Sequence, residues 1–209
     1  MRSMSSMAWP VGGLVTLSGA ARAPRGSLFQ GMDSPLKSDA RMRSFLGVVM
    51  PRHAATVCFS SPLGLLEVEC ADTGVTRLRL GARGKAREVG DGDAMECARK
   101  ARGEILAYLE GGLKRFTVPV VLAGTPFQRT VWAKLLAIPY GKTRTYGEIA
   151  AELGKPRAAR AVGMACGANP VPILVPCHRI VAGNGGLGGF GGGARMKHDL
   201  LELERTRAT

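Results

Sequence analysis

The sequence predicts a small α/β N-terminal domain, an antiparallel sheet plus one helix, followed by a mostly α C-terminal domain with a helix-turn-helix. Three observations carry this prediction. Short runs of β-branched and apolar residues, cut by turn signals, fill residues 56–80. Apolar spacing of three and four residues takes over from about residue 94. Beyond residue 123, three short helical stretches are separated by tight Gly/Pro turns, and the last is basic.

The elements follow in order. Residues 1–53 show no sustained periodicity and are rich in Ser, Gly, Pro and Arg, so they are expected to be a disordered basic leader. Met1 to Ala23 loosely resembles a signal peptide, but Pro10, Gly12, Gly13 and Ser18 break its apolar stretch. A start placed too early, with Met32, Met42 or Met50 as alternatives, is the other reading. Structure is expected from near Thr56, with the N-terminal domain spanning 54–122. Its strands are Thr56–Ser60, Gly64–Cys70 and Val75–Leu80, turning at Pro62-Leu63-Gly64 and Asp72-Thr73-Gly74 as an antiparallel meander. A helix over Ala94–Leu109 buries Met95, Ala98, Ile105, Leu106 and Leu109 and stops at Gly111-Gly112. Phe116–Leu122 is a further candidate strand. No motif in this domain carries chemistry.

Ala123–Pro126 reads as the linker to the C-terminal domain, 123–209. Phe127, Val131, Trp132, Leu135 and Leu136 form an amphipathic stripe ending at Pro139. Thr145 and Glu148 have capping-box spacing for a helix that runs to Leu153 and stops at Gly154. A third helix is expected from Pro156, a favoured first position, to about Cys166. Ala158, Ala159, Ala161, Gly163 and Ala165 give it a small profile. That profile suits close approach to a groove wall, or tight packing on a neighbouring helix.

The net charge is +13, from 29 Lys and Arg against 16 Asp and Glu, which suggests a polyanionic partner. Residues 114–209 hold 14 basic and 5 acidic side chains, so the excess concentrates there. Five cysteines with no CxxC do not make a disulfide framework, and a reducing, cytoplasmic setting fits. No apolar run reaches the ~18 residues of a membrane helix.

Pro176-Cys177-His178-Arg179-Ile180 is the most informative stretch. A cysteine beside a histidine, held between rigid prolines, reads as a thiol kept ready for attack, although a lone Cys-His pair is more often an inert core cysteine. The run Asn169–Val181 as a whole resembles the active-site signature of the O6-alkylguanine-DNA alkyltransferases, or methylated-DNA–protein-cysteine methyltransferases. The resemblance covers roughly Gly124 to Glu204 through Phe127–Trp132, Pro139-Tyr140-Gly141, Thr145-Tyr146, Arg160–Gly163, Gly183–Gly193 and Lys197–Glu204. Ser61–Gly64 matches more loosely.

That resemblance implies an RNase H-like N-terminal domain and a single-turnover DNA repair transferase. O6-alkylguanine, and O4-alkylthymine, would be flipped out of duplex DNA and the alkyl group moved irreversibly to Cys177. The implied partner is double-stranded DNA containing alkylated bases. The implied protein is a monomer without cofactor or membrane contact, cytoplasmic, or nuclear in a eukaryote.

Residue roles carry over position by position. Cys177 would be the acceptor, with a depressed pKa. His178 would be the base, acting on Cys177 through a bound water, and Glu204 its orienter, with Glu202 a near neighbour. Tyr146 would protonate the departing guanine. Asn169 would clamp the site. Arg160 would fill the gap left by the flipped base, or contact phosphate. Arg157, Ala159, Thr145 and Tyr146 would complete the DNA surface, with the helix in the minor groove. Pro172, Ile180, Phe190, Gly191 and Cys166 would line the base pocket, under a lid formed by Gly183–Gly193.

Phe190 stands where many relatives have tyrosine, and Cys166 where a longer apolar residue is common, so a roomy pocket accepting alkyl groups larger than methyl is expected. Ala71 and Thr76 occupy positions where some relatives bind zinc, and His53, Cys58 and Cys70 lack ligand spacing, so no metal is expected. Three other readings stand beside it: a lesion-recognition protein, which would lack the cysteine; a helix-turn-helix regulator, which would need another domain; and a Cys-His hydrolase, which would need an oxyanion hole.

Overall fold

A computed structural model describes residues 54–208; the expected leader, residues 1–53, lies outside the described residues. The described chain opens with three antiparallel strands, β1 (Ala54–Ser61), β2 (Gly64–Ala71) and β3 (Gly74–Leu80). These are the expected strands, each slightly longer. A short β4 (Arg87–Val89) adds to the free edge of β1, giving the order β3-β2-β1-β4. Its three exposed residues carry no alternation, which is why the sequence did not announce it. Ala55, Val57, Phe59, Leu66, Val68 and Cys70 are buried, as alternation on one sheet face demands. On β2, Glu67 is 5% exposed and takes hydrogen bonds from Arg79 and Arg87.

Helix α1 (Gly92–Leu109) packs on β1, β2 and β3. Its buried side includes Ala101 and Tyr108 as well as Met95, Ala98, Ile105 and Leu109, whereas Leu106 is only half-buried. Gly111 at φ +83 ends it in the left-handed conformation that glycine adopts without steric cost.

The expected strand at 116–122 does not form. Thr117 and Val118 N–H groups bond to the Glu104 carboxylate, at 2.7 and 3.1 Å, and Pro119 has no N–H to give. Only a single parallel bridge forms there, Val75 with Val120.

The C-terminal part contains α2 (Pro126–Leu136), β5 (Arg144–Thr145), α3 (Tyr146–Glu152), α4 (Ala159–Gly167), β6 (Ile180–Val181) and α5 (Gly193–Arg207). The last two residues of the expected linker start α2: Thr125 caps it, forming a capping box with Gln128, and Pro126 stands in the first turn. Thr125→Ala is expected to cost about 1 kcal/mol, read as a lower melting temperature. Thr145 and Glu148 form the predicted box at α3, with bonds of 3.1 and 2.6 Å.

Helix α4 starts at Ala159 rather than Pro156. Residues 155–158 form a turn closed by Ala158 N–H on Lys155 O at 2.8 Å, and Ala158 at φ −92, ψ 15 interrupts the helical geometry. Trp132, 1% exposed, ties α2 to α4 by donating Nε1–H to Ala165 O at 2.8 Å. Leu136 of the predicted stripe points out, at 41% exposure. Buried side chains from both parts form one continuous core. Among the described residues no helix is long and apolar enough to cross a membrane.

Candidate functional site

Cys177 opens a 3-10 turn, Cys177–Arg179, directly before β6. The loop ahead of it bonds to itself: Val175 N–H to Val171 O at 2.9 Å and Cys177 N–H to Val175 O at 2.8 Å. Asn169 staples this loop. Its Oδ1 accepts from Val171 N–H at 3.0 Å, and its Nδ2 donates to Val175 O at 2.9 Å and to Cys177 Sγ at 3.2 Å. The N-terminal sheet braces it from outside, with Leu78 N–H of β3 on Pro170 O at 2.9 Å. Within the loop, fully buried Ile173 sits at φ +73. A β-branched residue there stores about 1–3 kcal/mol of strain, held by the bonds around it.

Next to the thiol, His178 and Glu204 are both completely buried. His178 Nε2 lies 3.0 Å from Glu204 Oε1. Arg179 Nε donates to Glu204 Oε2 at 2.9 Å, its Nη2 to Oε1 at 2.8 Å, and its Nη1 to Ile138 O at 2.6 Å. Gly141 N–H adds a bond to Oε2 at 3.0 Å. Burial pushes the Glu204 carboxyl up, but bonds from His178, Arg179 and Tyr108 outweigh it and hold the group at about 2. Burial holds His178 below its ordinary value, against the pull of Glu204. Its Nδ1 is buried with no hydrogen-bond partner. With Nε2 on the carboxylate, the ring presents Nδ1 as its basic nitrogen. Glu202, the alternative carboxylate, instead pairs with Arg205 at the surface.

The N-terminal part, in which no motif was expected to carry chemistry, contributes a side chain to the surroundings of this site. Tyr108 of α1 donates its hydroxyl to Glu204 Oε1 at 2.6 Å and lies 3.2 Å from His178 Nε2. Sequence reasoning also passed over Arg179, though it stands inside the Pro-Cys-His-Arg motif, and Lys197. Lys197 is fully buried on α5 and donates Nζ to Ile180 O at 2.5 Å and Gly189 O at 3.3 Å, joining β6 to the Gly-rich loop.

The expected depressed thiol is not what the site provides. Cys177 is 5% exposed, and burial raises its pKa more than the Asn169 hydrogen bond and the Lys197 charge lower it. The thiol is therefore held neutral, its proton available to a base.

An open cleft of about 920 Å³ lies between α3, α4 and the Gly-rich loop. It brings together Thr145, Tyr146, Ala159, Arg160, Phe190 and Gly191 of the predicted residues. Phe190 also packs edge-on against His178, with ring centroids 6.3 Å apart. Arg157 lines a separate hollow with Lys155, Pro156 and Ala158. Cys166, Ile180 and Pro172 do not line the cleft; Cys166 and Ile180 face the core. Burial raises Tyr146, so its phenol keeps its proton, and the Gly189 N–H bonds to its oxygen. Gly163 of α4 faces the Tyr146 ring, where a Cβ would make an ordinary contact at 3.7 Å. Among the described residues no three His, Cys, Asp or Glu side chains cluster as metal ligands.

This geometry defines a protein with a buried thiol, followed in sequence by a histidine whose ring is bonded to a buried carboxylate. The comparisons agree with that class. Residues 126–206 match the model of the 6-O-methylguanine DNA methyltransferase DNA binding domain. A methylated-DNA–protein-cysteine methyltransferase of Methanosarcina acetivorans is 43% identical over 148 residues, covering 70% of this chain and 95% of the relative. One of Mycobacterium bovis is 55% identical over 105 residues, 50% of this chain, and the match spans 64% of the relative's length. The crystal structure of Mycobacterium tuberculosis OGT in complex with DNA superposes with a TM-score of 0.65 at 42% identity, covering 73% of this chain and 93% of that one. The chain belongs to the methylated-DNA–protein-cysteine methyltransferase family, as the Cys177 motif indicated.

Proposed function

We propose that the chain repairs DNA by flipping O6-alkylguanine, and O4-alkylthymine, from the duplex and transferring the alkyl group irreversibly to Cys177. The observation that carries this is the His178 ring, anchored through Nε2 to Glu204 with Nδ1 unpaired, adjacent in sequence to a buried neutral thiol. His178 takes the Sγ proton through a bound water as Sγ attacks the alkyl carbon. The S–C bond forms, the C–O6 bond breaks, and Tyr146 gives the departing base a proton, so guanine leaves neutral. The proton on His178 then restores the Tyr146 phenol, leaving a thioether on Cys177. Nothing in this sequence of steps regenerates the thiol, so each molecule acts once.

Helices α3 and α4 read as a helix-turn-helix in a DNA-binding domain at 123–209, beside an RNase H-like domain at 54–122. Exposed Arg160, with Thr145, Tyr146 and Ala159 around the cleft, suits insertion beside a flipped base. Arg157 suits a phosphate contact. The basic charge of residues 114–209 supports a duplex DNA partner. The monomeric state and cytoplasmic location implied by the sequence resemblance fit the same reading.

Intact mass after mixing with duplex DNA containing one O6-methylguanine tests this. One methylene is expected to be gained on Cys177, with no gain in Cys177→Ala. O6-benzylguanine is expected to leave a benzyl adduct, on the roomy-pocket reading of Phe190, Cys166 and the loop glycines. Lesion binding with no mass gain would instead support a recognition protein.

A further inference from the structure

The proposed reaction leaves one buried polar group without a task. Tyr108 is fully buried on α1 and lies 96 residues before Glu204 in the chain. Its ring packs on Phe116 and Tyr140, with centroids 5.1 and 6.0 Å apart. A phenylalanine would fill that space equally well, so packing explains the ring and not the hydroxyl. The hydroxyl reaches Glu204 Oε1 at 2.6 Å, the same oxygen that His178 Nε2 meets at 3.0 Å, and stands 3.2 Å from Nε2 itself.

We propose that Tyr108 is a positioning residue for alkyl transfer: its hydroxyl donates to Glu204 Oε1 and accepts, with that oxygen, the Nε2–H of His178. The three groups close a ring of contacts that admits one tautomer, with Nδ1 as the base. This inference rests on the reading of His178 as the base. Burial and the nearby Glu204 charge raise the Tyr108 phenol far above its ordinary value, so it always has its proton to donate. By sharing the Glu204 charge, Tyr108 also weakens the hold of that carboxylate on an imidazolium. The other charged groups acting on His178 are Glu204 and Lys197 of α5 and Arg179 of its own turn. None of them except Glu204 bonds to Nε2.

The test uses the full chain and two substitutions at position 108. Tyr108→Phe returns charge to Glu204 and favours the imidazolium. The His178 ring titration, followed by NMR, is expected to rise by about half to one pH unit, the part of one charge-assisted hydrogen bond that reaches its neighbour. The acid limb of alkyl transfer should move up with it, and the plateau rate should fall about 10-fold. A 3-fluorotyrosine at 108 donates more strongly and should move both titrations down. Unchanged His178 titration in both proteins, whatever happens to the melting temperature, overturns the proposal. If the unsubstituted protein takes no alkyl group from DNA, the repair reading fails, and the NMR titrations still decide the role of Tyr108.

Discussion

Glu204→Ala is expected to destabilise the protein by about 3–5 kcal/mol, because it leaves the Arg179 guanidinium buried without its counterion. In a domain of this size that lowers the melting temperature by roughly 10 °C. Alkyl transfer should fall by a factor of about 100 or more at a temperature where the variant is folded, since the His178 ring loses its orienter. Glu202→Ala, two residues away, removes only a surface pair and is expected to change stability by less than about 0.5 kcal/mol. Thermal melts and single-turnover kinetics on the two variants separate the roles.

The same carboxylate sets an acid limit. Its folded-state value is held at about 2, below the ordinary carboxylate value. A depressed group contributes stability that is complete above its unfolded value, near 4.5, and lost as pH falls through the folded one. His178, also depressed, acts in the same sense from its ordinary 6.5 downward. Stability should therefore decline as the medium is acidified below about pH 6.5.

Gly188→Ala is expected to separate activity from stability in the opposite way. A Cβ at Gly188 would meet the Tyr146 hydroxyl at 2.7 Å and its Cε2 at 2.8 Å. The tyrosine tip is the part free to yield, so the proposed proton donor is pushed off its position. Transfer should slow by about 10- to 100-fold. Stability should fall only by about 1 kcal/mol, from alanine at φ +68 in an exposed loop. Equal losses in rate and melting temperature would show that the loop matters for folding rather than for placing Tyr146.

What the sequence made legible was local. The first three strands follow from β-branched runs between turn signals, and the α3 cap follows from Thr145 and Glu148 alone. Asn169, Cys177 and His178 could be read together because they lie within ten residues of one another. What stayed hidden depended on distant partners. Phe116–Leu122 has strand composition, but Glu104 takes its first N–H groups. Tyr108 looks like one more member of an apolar helix face, and its partner Glu204 is 96 residues away. The sign of the Cys177 shift was misjudged for a related reason: the motif displays the nearby base, whereas the burial that dominates is supplied by the whole fold. Cys166 and Ile180 sit within two residues of ones that line the cleft, yet their own side chains are buried in the core.

The neutral, sheltered sulfur has a consequence for the protein between encounters. Peroxides and stray electrophiles attack the thiolate, and oxidation beyond the sulfenic state is irreversible. On the proposed reading each molecule has a single use, so a sulfur ionised in advance would be consumed by whichever reagent arrived first. At 5% exposure and with its proton retained, Cys177 should have a long idle lifetime, its reactivity released only when His178 takes that proton at a bound lesion.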